Sequence, residues 1–161
     1  MRPFALSLGL SCALALPAQA ADIVLGVGSG VANGNGDDDA FAVIEAHSDP
    51  LWAFAGGDLS GFAVLQSDTD ADTFVGAGVS VQFPLRGDWF LEGSFAVGYY
   101  DQGAGGTNLG GNLQFRTLGG IGRKIGARGQ VSLALDHISN ANTNVRNPGM
   151  ESLSLRYRVS F

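Results

Sequence analysis

V-S-L-A-L-D-H-I-S-N at residues 131–140 and M-E-S-L-S-L-R-Y-R-V-S-F at residues 150–161 flank a polar turn, N-A-N-T-N-V-R-N-P-G, at 140–149. Both runs alternate apolar and polar residues with period two, as strands with two unlike faces do. One row of the first run is Val131, Leu133, Leu135, and it continues into His137 and Ser139. One row of the second is Leu153, Leu155, Tyr157, Val159, Phe161, and the residue before it on that row is Glu151. A hairpin brings His137, Ser139 and Glu151 together at the turn end of two greasy rows. A nucleophile, a base and an acid on an apolar surface point to an esterase acting on a lipid.

Eight runs of this kind are read along the chain, at 22–30, 40–48, 56–66, 73–83, 88–100, within 113–125, and the two above. The start and the parity of the run within 113–125 are not fixed by its sequence. The connections alternate in length. Those near 31–39, 67–72, 101–112 and 140–149 are long and polar, and most others are short. That asymmetry predicts an all-β fold, an eight-stranded antiparallel transmembrane β-barrel, with long loops outside and tight turns in the periplasm. The site then lies at the level of the outer leaflet and faces lipid. The opposite rows agree: Arg156, Arg158 and Asp136 are costly in lipid, so they are predicted to point into the lumen and pair there. A soluble, lipocalin-like barrel is the alternative, but it would show water a polar outside. Trp52, Trp89, Tyr99 and Tyr100 are read as residues of the interfacial aromatic belts.

The N-terminus reads as a separate segment. Arg2 is a lone charge before a short apolar run, and Ala18-Gln19-Ala20 offers a cleavage site. Residues 1–20 are therefore expected to be a cleaved signal peptide, with 21–161 the outer-membrane barrel. Cys12, the single cysteine, leaves with that peptide. The formal charge of −6 does not favour nucleic acid. No run of 18 or more apolar residues follows the signal, so no membrane helix is expected, which leaves barrel strands open. Asp37, Asp38 and Asp39 read as a solvated loop tip rather than a divalent-cation site. His47 falls near a turn far from the site.

Within the site, His137 is placed to take the proton of Ser139, and Glu151 to hold the imidazole in the right tautomer. Asn140, beside the nucleophile, offers its amide or nearby backbone N–H groups to an oxyanion. Polar groups that interrupt lipid-facing rows are expensive and usually functional.

The segment from His137 to Tyr157, with H-I-S-N-A and then N-P-G-M-E, resembles the outer-membrane lipid A 3-O-deacylase family (PagL). That family shows H-x-S-N-A, then N-x-G-x-E at the same spacing, and a weaker match runs upstream through N-L-G-G-N-L-Q-F to Phe115. The resemblance implies Ser139 as nucleophile, His137 as base, Glu151 as orienting acid, Asn140 as the oxyanion-hole asparagine, Asn147 as a supporting residue and Phe115 as a substrate-side aromatic. Some relatives carry Gly where this chain has Asn142-Thr143; asparagine tolerates a positive φ there better than most residues. The implied reaction is hydrolysis of the ester-linked 3-hydroxyacyl chain at position 3 of lipid A, with no metal or cofactor. The implied partners are lipid A or lipopolysaccharide and the outer membrane, with a homodimer left open. Two rival readings are a non-catalytic adhesion or structural barrel and an outer-membrane phospholipase.

Overall fold

The computed structural model describes residues 21–31 and 39–161. The expected signal peptide, Cys12, Asp37 and Asp38 lie outside the described residues. The strands are β1 (Asp22–Gly30), β2 (Ala40–His47), β3 (Trp52–Phe54), β4 (Gly57–Asp68), β5 (Thr73–Pro84), β6 (Trp89–Asp101), β7 (Leu113–Ile125), β8 (Gly129–Ser139) and β9 (Met150–Ser160). All pairings are antiparallel between neighbours in sequence, β1 pairs with β9, and a β2–β4 pairing closes the cylinder. The predicted eight-stranded barrel is the observed one. The addition is β3, three residues that pair only with β4 and extend the hairpin at the tight-turn end. Its sequence is too short to show alternation.

Alternation sorts the two surfaces. Leu25, Val27, Leu135 and Leu155 face outward and are more than half exposed, at 52%, 62%, 57% and 56%. Facing inward are buried Glu45, His47, Arg116, Asp136, Arg156 and Arg158. An apolar outside around a charged inside is the arrangement that suits lipid and excludes a water-soluble barrel.

The lumen is filled by a hydrogen-bonded charge network rather than left as a channel. Arg156 grips Glu45 through Nη1 at 3.0 Å and Nη2 at 2.6 Å, a bidentate contact. Arg116 bridges Glu45 at 2.8 Å and Asp136 at 3.0 Å. Arg158 reaches Asp22 at 2.9 Å. Arg156, Arg158 and Asp136 thus point inward as expected, but their partners are Glu45, Asp22 and Arg116, residues the sequence did not single out.

One belt residue is corrected. Tyr99 is exposed on the outer face, but Tyr100 is buried and points inward, where its hydroxyl bonds Asp72 and Thr107 O. Adjacent residues on a strand face opposite ways, so only one of the two tyrosines reaches lipid.

Candidate active site

The β8–β9 register sets His137 directly opposite Glu151. Their side chains meet, with Nδ1 of His137 2.9 Å from Oε1 of Glu151. Both lie on the outer wall at the long-loop end and are under half exposed, at 44% and 41% of their side-chain surface. Ser139 shares that face two residues on, about 7 Å away at Cα. Across the β7–β8 ladder Ser139 pairs with Phe115 and His137 with Thr117. Phe115 therefore faces outward beside the serine, stacked on Phe95 with ring centroids 6.0 Å apart. The run within 113–125, ambiguous in sequence, places Phe115, Thr117, Gly119 and Ile121 outward.

The inward neighbours brace this pair. Asp136 and Ser152 flank His137 and Glu151 along their strands and point into the lumen, where Ser152 Oγ donates to Asp136 Oδ1 at 2.9 Å. Arg116 holds the other carboxylate oxygen of Asp136. A one-residue slip of β8 on β9 would break both bonds and turn the site inward, so the lumen fixes the register on which the site depends.

The loop after Ser139 is a tight reversal. Thr143 N–H donates to Asn140 O at 3.0 Å, and Ala141 and Asn142 have φ of 51° and 63°. Positive φ at both central positions marks a type I′ turn. Asn142 suits that conformation, as the sequence suggested. Ala141 lacks a local side-chain hydrogen bond and costs about 1 kcal/mol there. Strain of this kind collects at functional sites.

Asn140 is fully buried and acts as a clamp. Its Nδ2 donates to Leu109 O at 2.8 Å and to Arg146 O at 2.6 Å, and its backbone N–H to Asn147 Oδ1 at 3.1 Å. Its donors are therefore already engaged. Asn147 also donates from Nδ2 to Asn142 Oδ1 at 3.1 Å, so Asn140 ties loop 102–112 to loop 140–149 and Asn147 braces the turn within the latter. The backbone N–H groups of Ala141 and Asn142 have no acceptor among the described residues.

One residue at the site had no role assigned from sequence. Gly149 has φ of 71°, and a Cβ there would stand 2.8 Å from Cε1 of His137. Its missing side chain is what lets the imidazole seat beside Glu151. The family-like spacing N-P-G-M-E carries this glycine, and that was the available signal.

A family model described as lipid A 3-O-deacylase (PagL) matches residues 40–160. The chain belongs to the PagL family. Membership makes it a lipid A deacylase, and so a hydrolase. Among solved structures, the crystal structure of the outer membrane enzyme PagL is similar with a TM-score of 0.72 at 24% identity, covering 88% of this chain and 100% of that one. A barrel from de novo design of transmembrane β-barrels follows at a TM-score of 0.54 and 12% identity, covering 89% and 98%. At these identities the likeness speaks for the fold alone. No curated protein matches the chain. None of these PagL and barrel matches supports the homodimer that the sequence left open.

Proposed function

We propose that the protein removes the ester-linked 3-hydroxyacyl chain from position 3 of lipid A at the outer leaflet of the outer membrane, with Ser139, His137 and Glu151 as its catalytic set. The observation that carries this reading is the 2.9 Å His137–Glu151 contact on the lipid-facing wall, with Ser139 next on the same row. Because Glu151 takes Nδ1–H, the imidazole keeps Nε2 to accept the Ser139 proton. Ser139 Oγ then attacks the acyl carbonyl, and its proton passes to His137. The C–O bond to the sugar breaks as His137 returns that proton to the departing sugar oxygen. Water, deprotonated by His137, next attacks the acyl-serine and releases the 3-hydroxy acid and free Ser139.

Charge develops on the carbonyl oxygen in both steps. The backbone N–H groups of Ala141 and Asn142 are its donors in this reading, and Asn140 and Asn147 hold the turn that presents them. Phe115, across the ladder from Ser139, lines the substrate side. The chemistry calls for no metal or cofactor. The segment 1–20 serves as the export signal, and the long-loop end lies outward.

The test is mass spectrometry of lipid A from outer membranes carrying the wild-type chain or Ser139→Ala. Loss of one 3-hydroxyacyl group with the wild type alone is the expected result. Matching profiles from properly inserted wild-type and variant barrels would sink the reading and favour a non-catalytic barrel. Loss of phospholipid acyl chains instead would favour the phospholipase.

A further inference from the structure

The four long connections of the chain carry seven aspartates and one basic residue, Arg146. Asp39 lies just before β2, Asp68, Asp70 and Asp72 lie at the β4–β5 connection, and Asp101 ends β6. Arg146 lies in the loop between β8 and β9, the strands whose ends bear Ser139 and Glu151. Every other Lys or Arg among the described residues is buried in the lumen, as Arg116, Arg156 and Arg158 are, or stands at the tight-turn end. An anion approaching the long-loop end therefore meets repulsion over most of the rim and attraction only above the candidate site.

An arginine on an exposed loop ordinarily sweeps a wide volume, but this one is held at both ends. Its carbonyl oxygen accepts Asn140 Nδ2 at 2.6 Å, and its Nε donates to Asn108 O at 2.9 Å. Gly110, with φ of 84°, permits that approach, since a Cβ there would stand 1.9 Å from Arg146 O. Gly110 N–H also donates to Asn108 Oδ1 at 2.9 Å, which steadies the residue that receives Nε. Two loops thus fix where the guanidinium lies. With Nε spent on Asn108, the two Nη groups are left for a ligand. Such a pair of donors, held in one plane, matches two oxygens of a phosphate. Lipid A offers that group, because its glucosamine rings carry phosphate monoesters as well as acyl esters.

We propose that the Nη groups of Arg146 bind a phosphate of the lipid A headgroup while the ester to be cleaved lies at Ser139. The inference rests on the deacylase reading above and adds to it a contact that selects phosphorylated substrate. Asn140 binds the carbonyl of this same arginine, so headgroup recognition and the turn after Ser139 share one clamp. The aspartates across the rim repel the same phosphate and turn the headgroup toward β8 and β9.

The experiment uses the full barrel in mixed micelles of neutral detergent with two substrates, lipid A that keeps its phosphates and lipid A stripped of them. The readout is the ratio of kcat/KM for the first to kcat/KM for the second. Arg146→Gln should lower that ratio roughly tenfold, the scale of one hydrogen bond to a charged group. The carbonyl that Asn140 binds is retained in this variant, and any loosening of the loop slows both substrates alike and cancels. Arg146→Lys should keep part of the preference, because it restores the charge but not the paired donors. Arg86→Gln, at the exposed turn between β5 and β6, should leave the ratio unmoved. Equal ratios in wild type and Arg146→Gln overturn the proposal, as does an equal fall in Arg86→Gln. A wild type that cleaves both substrates alike, yet is slowed by inorganic phosphate only when Arg146 is present, would assign the site to the free ion and overturn the lipid assignment. Should Ser139→Ala still cleave, the catalytic reading fails on its own. Binding of the two lipids to Ser139→Ala barrels, with and without Arg146→Gln, gives the same ratio without turnover, and an unchanged binding ratio also overturns the proposal.

Discussion

Glu45 and His47 in the lumen lie 2.8 Å apart, and Glu151 and His137 on the outer wall lie 2.9 Å apart. Each histidine also has a serine in company. Nδ1 of His47 is 3.0 Å from Ser80 Oγ, whereas Ser139 follows His137 on one face of β8. By distance alone the inner set is the better-formed Glu-His-Ser array. Its surroundings disqualify it. Glu45 and His47 are each 1% exposed, and the same carboxylate holds Arg116 and Arg156. A carboxylate so engaged has little negative charge left to stabilise an imidazolium, and no lipid ester reaches a ring sealed inside the wall. The outer pair stands on the lipid-facing wall with both side chains open to its surface. Access, rather than spacing, separates the proposed catalytic set from a brace.

That comparison can be broken by experiment. The largest effect should come from Ser139→Ala, which is expected to cut deacylation by at least about a thousandfold in purified barrels; retention of the rate would make the outer set structural. Next, Glu45→Ala strips a shared partner from two buried arginines. It should cost about 3 kcal/mol in urea unfolding of the detergent-solubilised barrel, while the rate per folded molecule stays within about threefold. A selective loss of rate without loss of stability would move catalysis inward. Gly149→Ala should press on the His137 ring and lower kcat roughly tenfold with little change in KM, an effect of about 1.4 kcal/mol. The smallest effect is expected from Ser80→Ala, whose rate should lie within about twofold of wild type.

The barrel was legible because period-two alternation and alternating loop lengths are local features of the chain. The candidate site stood out in the sequence for a related reason: His137, Ser139 and Glu151 interrupt rows that are otherwise apolar. The parity of β7 was not legible, because its outward row carries Thr117 and Gly119 where a lipid-facing strand would show leucines, so the alternation fades there. The partners of Arg156 and Arg158 were hidden because contacts across a lumen depend on how the strands stagger around the cylinder. The engagement of Asn140 was hidden too, since the carbonyls of Leu109 and Arg146 that it binds come from two loops whose paths no periodicity records.

The outward aspect of Ser139 and His137 on the barrel wall also determines what concentration means for this enzyme. Its substrate arrives by lateral diffusion within a sheet of lipid, so the quantity that governs saturation is the mole fraction of substrate in that sheet, not its molarity in water. Adding inert detergent to mixed micelles at fixed total substrate should therefore slow turnover, and adding buffer should not. Kinetic constants for this protein belong to a two-dimensional solvent, and their units should be those of a surface.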